Sequence, residues 1–405
     1  MKHYCGIDWA SDHHDISIVN ESGKKVNKFR IDDDLNGYHT LSNTLKSFEV
    51  EIPIAIEAKD NLLINFLIAE GYEVYSINPK SAERYKDRYN VAGNKTDEID
   101  SFALADMLRT DMHKYRPLEY SSEEIRKLKI LCGEYSKLMK DKNMLESQLY
   151  DVLSKYYPIA LTLFSSYNCK TLYKLILKYS TYEELRKVSY EDLEKFLKEN
   201  RYRKAHYIKK VYNKIQGNDY YALAIFDETF SHTARALVKM LLILEAEIKE
   251  IKNKMTEITT THTLGTIFYS LPGSGEILAP KLLSIMGDNK KVYLSSSEIQ
   301  AYSGVAPVTK RSGKSSRVKF RFACNKEYRN TLTTFAFCSL NWSPWARGYY
   351  DKSRQKGKRH YESLRLLAYK WTRIIFKLWQ TGELYSEEYH TKNLERFSKN
   401  ILKIA

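Results

Sequence analysis

Over residues 1–118 the sequence alternates short apolar runs with helical patterns, and the order of these segments leaves few possible folds. A meander of three strands comes first, and strand–helix–strand units follow it. The successive segments are HYCGIDWA, HDISIVN, KKVNKFRI, YHTLSNTLKSF, PIAIEA, NLLINFLIAEG, YEVYSIN and the helix after KTDEID. This order is what an RNase H-like sheet requires. We therefore predict an α/β domain of that type over residues 1–118.

Four acidic residues occupy positions in this pattern from which their side chains can meet. Asp8 lies in the first strand and Glu57 ends the fourth. Asp97 and Asp100 are three residues apart, which places them on one face of a helix. Carboxylates brought together repel one another unless a cation lies between them, and hard oxygen ligands favour Mg²⁺ or Mn²⁺. Two such ions about 4 Å apart can hold both sides of a scissile phosphodiester, so the set predicts phosphate chemistry.

Each of these acids also has an ordinary explanation when it is taken alone. A strand-end aspartate such as Asp8 is a common turn residue. The acids of TDEID suit the first turn of any helix. The chain has 50 acidic residues, and most acids in a protein are surface groups. The prediction rests on the four residues together.

The overall charge favours a polyanionic partner. The chain has 65 Lys and Arg residues against 50 Asp and Glu, a net charge of +15, and its pI is near 9.2. Such a balance suits a phosphate-binding surface, although charge alone fits DNA, RNA or an anionic membrane face. Because we find no apolar run of about 18 residues and no signal-peptide pattern, we expect a soluble, intracellular protein without a membrane partner. Five cysteines without paired spacing predict reduced, structural thiols.

Two long helices are predicted over residues 119–262. Apolar residues recur at alternating threes and fours from Leu128 to Val152, and a cleaner heptad seam runs from Leu237 to Ile258. An antiparallel hairpin within one chain and a dimerising coiled coil explain these seams equally well. We call both segments coiled-coil helices and leave their partner open.

A helical insertion at about residues 156–230 interrupts this second region. Its many tyrosines alternate with lysines and arginines, so the rings could stack on unpaired bases while the cations contact phosphates. The alternative is a small bundle of capped amphipathic helices whose tyrosines form the core. We favour the bundle, with a basic surface that faces RNA or DNA.

The third region, residues 263–405, begins with a helix-hairpin-helix pattern. In LPGSGEILAPKLLSIMGD, Gly273 and Gly275 form a tight turn before a helix, whose N-terminal N–H groups can bind a phosphate without reading bases. The same kind of turn also occurs without a ligand.

The segment TKRSGKSSRVKFRFACNKEYRN surrounds three serines with cations. Gly313 gives its backbone freedom. A serine hydroxyl is a poor nucleophile until neighbouring groups stabilise its alkoxide and the transition state, and this loop could do so. A polar loop whose serines make turn hydrogen bonds is the alternative. The candidate nucleic-acid-binding residues of this third region are Gly273, Gly275, Arg311, Lys314, Arg317, Lys319 and Arg321.

Taken together, these motifs resemble the DEDD insertion-sequence transposases related to the Piv DNA invertase. The resemblance covers nearly the whole chain in order and is carried by GIDWA, AIEA, KTDEIDSFALADML, LPGSGEILAPKLLSIMGD, and AYSGVAP followed by RSGK. It implies a RuvC-like domain that a coiled coil joins to a mainly α-helical C-terminal transposase domain. It also implies a guide, or bridge, RNA and a composite site between protomers of a homo-oligomer, a dimer or a tetramer.

The resemblance also assigns residues. It implies that the metal ligands, for Mg²⁺ or Mn²⁺, are Asp8, Glu57, Asp97 and Asp100, and that Ser312 is the nucleophile. Ser101 stands where the family more often has alanine. Ser315 and Ser316 follow the serine-glycine step closely, and Ser303 lies inside AYSGVAP, so all three are rivals of Ser312.

We therefore predict a DNA transposase or site-specific recombinase that cuts and rejoins strands through a phosphoserine intermediate. We expect it in the prokaryotic cytoplasm, in association with the nucleoid. The first alternative is a RuvC-like metal-dependent nuclease of the junction-resolvase type, in which water attacks. The second is an architectural nucleic-acid-binding protein without catalysis.

Overall fold

The computed structural model describes residues 1–58, 61–86, 97–217, 224–312 and 315–392. The chain divides into two compact units, Met1–Tyr120 and Ser121–Ala405. The first unit contains a five-stranded sheet, and the second is mainly helical. The further boundary at residue 262 stays a prediction.

The sheet of the first unit has the strand order β3-β2-β1-β4-β5. β1 pairs antiparallel with β2, and β2 with β3, whereas β4 is parallel to both β1 and β5. This is the order of an RNase H-like sheet, so the predicted fold class is confirmed. The strands are β1 (His3–Trp9), β2 (His13–Asn20), β3 (Lys25–Asp32), β4 (Ile54–Ile56) and β5 (Val74–Ser76).

Helices cover both faces of this sheet. α1 and α2 share one apolar core with the strands, and α3 and α4 share another on the opposite face. Asp34 and Asn61 cap the first two helices, because their side chains accept hydrogen bonds from backbone N–H groups of the first turn. The helices are α1 (Leu35–Lys46), α2 (Leu62–Ala69), α3 (Pro79–Lys86) and α4 (Asp97–Asp111).

Two long helices, α5 (Glu123–Tyr156) and α10 (Ala224–Thr261), pack side by side in the second unit. Leu128 near the start of α5 shares a core with Met255 near the end of α10. Leu149 near the end of α5 shares a second core with Leu241. The helices are therefore antiparallel within one chain, which is the first of the two predicted alternatives.

Four shorter helices between α5 and α10 form the predicted bundle. Tyr173 and Tyr182 are buried in its core, so these tyrosines stabilise the bundle and are not free to stack on bases. A basic nucleic-acid-facing surface on the bundle stays a prediction. The helices are α6 (Lys170–Lys178), α7 (Tyr182–Arg186), α8 (Tyr190–Glu199) and α9 (Ala205–Gln216).

Among the described residues after 262, the chain is mainly helical and contains a two-stranded antiparallel ribbon. Trp371 and Trp379 are fully buried at the centre of this region, and their indole N–H groups donate to Ser339 Oγ at 2.9 Å and to the Gly287 carbonyl at 2.7 Å. The elements are α11 (Gly265–Tyr269), α12 (Gly275–Met286), α13 (Ser296–Tyr302), β6 (Val308–Ser312), β7 (Ser315–Lys319), α14 (Lys326–Ser339), α15 (Pro344–Gln355) and α16 (His360–Thr381). Among the helices described, none is long and apolar enough to cross a membrane.

Candidate carboxylate centre and serine ribbon

Asp8 and Glu57 lie at the same edge of the sheet. β1 and β4 are parallel and Ile7 pairs with Ile56, so Asp8 in β1 lies beside Glu57, the residue that directly follows β4. Ile7 and Ile56 are buried in the core under α1 and α2. Because side chains alternate along a strand, Asp8 lies on the opposite face, where α4 packs.

Gly6 allows α4 to approach this face closely. A Cβ atom on Gly6 would lie 2.1 Å from the carbonyl oxygen of Ser101 and 2.5 Å from the nitrogen of Ala105. The buried hydroxyl of Ser101 also lies 2.8 Å from that of Ser17 in β2. Ser101, where the resemblance favours alanine, therefore ties α4 to the sheet directly beside Asp100.

A lysine joins two of the predicted metal ligands. Lys86, the last residue of α3, has its Nζ atom 2.9 Å from Asp100 Oδ1 and 3.3 Å from Glu57 Oε1. The side chains are half-buried, with exposed fractions of 22% for Lys86, 24% for Glu57 and 31% for Asp100. Burial lowers the pKa of Lys86, but the two carboxylates outweigh burial and raise that pKa above its usual value. Glu57 and Asp100 thus converge on one cation.

The donors at this edge are chemically suited to a hard divalent ion. Carboxylate oxygens are the ligands that Mg²⁺ and Mn²⁺ prefer, and the pair Glu57 and Asp100 already accommodates a positive charge. Asp97 begins α4, and its side chain lies outside the described residues. Within the ranges that the structure describes, no group of three or more His, Cys, Asp or Glu side chains could hold a metal ion. The structure therefore brings two of the four predicted ligands together and places Asp8 at the same edge.

A fifth acid lies opposite Asp8 in the sheet. Asp15 of β2 pairs with Asp8 in the strand register, so the two side chains share a face. Arg30 donates to both oxygens of the Asp15 carboxylate, from Nε at 3.0 Å and from Nη2 at 2.7 Å. This bidentate pair compensates the charge of Asp15 and so reduces the electrostatic repulsion between the carboxylates of Asp8 and Asp15.

The segment predicted as a serine loop is instead the ribbon β6–β7. Ser312 at the end of β6 pairs with Ser315 at the start of β7, and both are exposed. Because cross-strand partners and alternate residues share a face, Ser312 lies on the same face as Arg317 and Lys319, and Arg311 lies on the other. The expectation of a loop is thus wrong for residues 308–312 and 315–319, whose backbone groups pair across the ribbon.

The rivals of Ser312 differ in accessibility. Ser303 is fully buried, and its hydroxyl donates to the carbonyl of Ile299 at 2.7 Å, as a helix-terminal serine commonly does. Ser315 is as exposed as Ser312. The side chains of Ser316 and Lys314 lie outside the described residues. Accessibility therefore disfavours Ser303 and leaves Ser315 as a rival.

The helix-hairpin-helix turn between α11 and α12 has the predicted glycines in left-handed conformations, with φ of +79° at Gly273 and +54° at Gly275. A Cβ atom on Gly273 would lie 2.8 Å from the carbonyl oxygen of Cys338, so this glycine also has a packing role. Glu276, in the first turn of α12, pairs with Lys252 at 2.7 Å. Glu276 thus already offers a negative charge in the first turn of α12, and phosphate binding at this turn stays a prediction.

Comparisons with known proteins agree on one family. Residues 5–158 match a family model of the DEDD type described as Transposase, and residues 265–351 match the model of the Transposase IS116/IS110/IS902 family. The mini-circle transposase assigned to IS117 of Streptomyces coelicolor is 30% identical over 395 residues, which are 95% of each chain. This chain belongs to that family of transposases. Membership indicates an enzyme that cleaves and recombines DNA.

Other relatives of the transposase align over almost its whole length. The 44.8 kDa protein of insertion element IS116 of Streptomyces clavuligerus is 24% identical over 95% of this chain and 96% of its own. The 42 kDa protein of insertion element IS900 of Mycobacterium paratuberculosis is 23% identical over 94% of this chain and 96% of its own. Among solved structures, RuvC of T. thermophilus in complex with a Holliday junction substrate aligns with 29% of this chain and all of its own, at 14% identity and a TM-score of 0.24.

Sequence reasoning missed two residues of this transposase's carboxylate centre. Lys86 lies on α3, which was not predicted, because only Ala82 and Tyr85 of that helix are buried and its apolar pattern is weak. The sequence pattern places Asp15 in a strand and predicts no more for it. Its position opposite Asp8 follows from the hairpin register, which the short connection between β1 and β2 could have supplied.

Proposed function

We propose that the chain is a DNA transposase that cuts strands by forming a covalent phosphoserine link at Ser312, assisted by Mg²⁺ or Mn²⁺ at the four acids. The convergence of Glu57 and Asp100 on one cation, at the sheet edge that carries Asp8, is the observation that supports this most. Family membership supplies the substrate class, DNA.

The carboxylates would hold the divalent ion. Asp8 and Glu57 are fixed at their strand ends by the parallel pairing of β1 and β4, and Asp100 is fixed by the close packing of α4 on Gly6. When bound, such an ion polarises the scissile phosphate. Asp97, three residues before Asp100, would complete the set.

Ser312 would act as the nucleophile. Its Oγ atom forms a bond to phosphorus as the scissile P–O bond breaks, and its proton ends on the leaving oxygen, which becomes a free hydroxyl. Arg317 and Lys319 share the Ser312 face of the ribbon and would stabilise the charge that develops on the phosphate oxygens. Attack by the hydroxyl of another strand reverses the step and regenerates the serine. The number of phosphodiester bonds is conserved, so rejoining needs no external energy.

The remaining partners are also proposals. A guide RNA would select donor and target DNA by base pairing. The basic surfaces of the protein would bind the nucleic-acid backbone and recognise its shape. The active form would be a homo-oligomer, either a dimer or a tetramer. Sedimentation of the purified protein measures its oligomeric state. We also propose a location at the nucleoid, because the proposed substrate is DNA.

A covalent adduct tests the proposal. Purified protein is incubated with Mg²⁺, RNA transcribed from the DNA flanking the gene, and labelled target DNA, and the products are separated in denaturant. We expect a protein–DNA adduct from the wild type that is lost in Ser312→Ala and in Asp8→Ala but kept in the matched control Ser315→Ala. Strand cleavage without an adduct in the wild type would contradict the phosphoserine step.

That second outcome would favour a metal-dependent nuclease of the junction-resolvase type. The observation in its favour is that Asp8, Glu57 and Asp100 all lie in the first compact unit, whose fold is that of an RNase H-like domain. Such a centre needs only water as its nucleophile. Under this alternative, Ser312→Ala protein cleaves DNA at the wild-type rate.

A further inference from the structure

Two arginines meet at a phenylalanine at the base of the serine ribbon. Phe320 directly follows β7 and is half-buried. The guanidinium carbons of Arg329 in α14 and Arg365 in α16 lie 4.3 Å and 4.6 Å from the centre of its ring. Both distances are in the range of cation–π contacts.

Arg329 is held by the segment that follows β7 and lies beside the AYSGVAP turn. Its Nη2 atom donates to the carbonyl oxygen of Arg321. Gly304 leaves room for this group, because a Cβ atom there would lie 2.4 Å from Arg329 Nη2. The buried Nε atom of Arg329 has no hydrogen-bond partner among the residues described. Arg329 therefore places its guanidinium at the base of the ribbon with its buried Nε–H donor unused.

The guanidinium of Arg365 has fewer polar partners than that of Arg329. No residue in the described part of the chain forms a hydrogen bond or an ion pair with its guanidinium, although the group is partly buried. Glu362, one turn earlier on α16, pairs with Lys358 at 2.5 Å. Burial lowers the pKa of Arg365, Glu362 opposes this shift, and the charge of Arg329 adds to it. A partly buried cation beside a second cation, with its donors unused, destabilises the free protein.

We propose that Arg365, supported by Arg329, binds a backbone phosphate of the DNA on which the transposase acts. A guanidinium whose face lies on an aromatic ring keeps its edge N–H groups available, and their fork fits the oxygens of a phosphate. A DNA phosphate would neutralise charge on the two neighbouring arginines, which no described carboxylate pairs with. This inference rests on the proposed function, since the site would hold DNA at the base of the ribbon that carries Ser312.

Equilibrium binding tests the inference without any reaction step. The full-length protein is titrated into a fluorescein-labelled DNA duplex of mixed sequence at several salt concentrations, and the slope of log affinity against log salt is measured. Each phosphate contact contributes about 0.9 to that slope. We expect Arg365→Met to reduce the slope by about 0.9, and Arg365→Lys to keep the slope but bind several-fold more weakly. Arg373→Met, an exposed arginine on the same helix, is the matched control and keeps both.

Thermal unfolding gives a second, independent readout. Arg365→Met should unfold at the wild-type temperature or above it, because it removes a partly desolvated charge that has no hydrogen-bond or ion-pair partner among the described residues, and methionine can still pack on the Phe320 ring. A lower unfolding temperature together with an unchanged slope would make Arg365 a packing residue and overturn the inference. So would failure of the wild type to bind the duplex, or a loss of affinity seen only with an RNA duplex of the same sequence. A missing phosphoserine adduct would refute the proposed chemistry but leave this binding result standing.

Discussion

Replacing Lys86 by methionine tests whether the carboxylate centre needs a cation. The substitution keeps most of the apolar stem but removes the ammonium group that lies 2.9 Å from Asp100 and 3.3 Å from Glu57. Two half-buried carboxylates would then remain without their shared partner. We expect the protein without divalent metal to lose stability.

The size of the loss follows from the two ion pairs. At an effective dielectric constant of about 20, each pair near 3 Å is worth roughly 5 kcal/mol before desolvation is subtracted. Exposed pairs retain about 0–1 kcal/mol of that energy, and breaking a buried pair costs about 3–5 kcal/mol. The side chains here lie between these limits, so we expect Lys86→Met to lower the free energy of unfolding by about 2 kcal/mol. Added Mg²⁺ should restore most of it, because the ion takes the place of the ammonium group.

Trp9 provides the assay. It is the only tryptophan among residues 1–120 and is the direct neighbour of Asp8. Fluorine NMR of protein labelled with 5-fluorotryptophan therefore follows unfolding of the first unit in urea through one resonance, which Trp9→Phe assigns. Titration with Mn²⁺ uses the same signal, since a paramagnetic ion bound near Asp8 broadens it.

The matched control is Lys80→Met, an exposed lysine on the same helix. It should change neither the urea midpoint nor the Mn²⁺ concentration that broadens Trp9. In Lys86→Met, the Trp9 resonance should broaden at a lower Mn²⁺ concentration than in the wild type, because no ammonium group competes with the ion for Asp100 and Glu57. Equal stability of Lys86→Met and Lys80→Met without metal would refute this reasoning, as would a metal response no stronger than that of the wild type.

Three further predictions concern the same elements. Gly6→Ala should cost about 3 kcal/mol of stability in urea, because its Cβ would collide with the backbone of α4, whereas Gly133→Ala, with open space around it on α5, should be neutral or slightly stabilising. The hydrogen bond from Tyr38, and then that from His14, lower the pKa of Asp33. Ionised Asp33 therefore stabilises the fold at pH values above the ordinary carboxyl pKa, and this stabilisation is lost as the pH falls below about 4. Asp33→Asn should flatten the acid side of a plot of unfolding free energy against pH. Ser101→Ala should lower the free energy of unfolding by about 1 kcal/mol, since it leaves the buried Ser17 hydroxyl without its partner, and Ser17→Ala in the same background should recover part of that loss.

The fold of the first unit could be predicted because its signals are local. Short apolar runs mark β1, β2 and β4, and the order of strands and helices then leaves few sheet topologies. The acids at the strand ends follow from that topology, as the register of Ile7 with Ile56 shows for Asp8 and Glu57. Helix α3 carried no such signal, so the cation that Lys86 supplies could not be foreseen.

The serine ribbon could not be predicted for a different reason. VTKRS and SSRVK are mostly polar in sequence, so neither predicts the apolar alternation of a half-buried strand. The register of the two strands decides which basic residues share a face with Ser312. The positions of the basic residues in the sequence do not predict that register. The long helices illustrate the same limit, because the seam from Leu237 to Ile258 predicted a helix but not the partner it packs against.

The most direct test of the phosphoserine chemistry is to find which residue carries the DNA. The denaturant-stable adduct is digested with nuclease and trypsin, and the peptide that retains a nucleotide is identified by mass spectrometry. Cleavage after Arg311, Lys314 and Arg317 separates Ser312 from Ser315 and Ser316, so the two possibilities give different peptides. A phosphoserine link at Ser312 predicts the nucleotide on residues 312–314. A nucleotide on residues 315–317, or no adduct from protein that cleaves DNA, would contradict it.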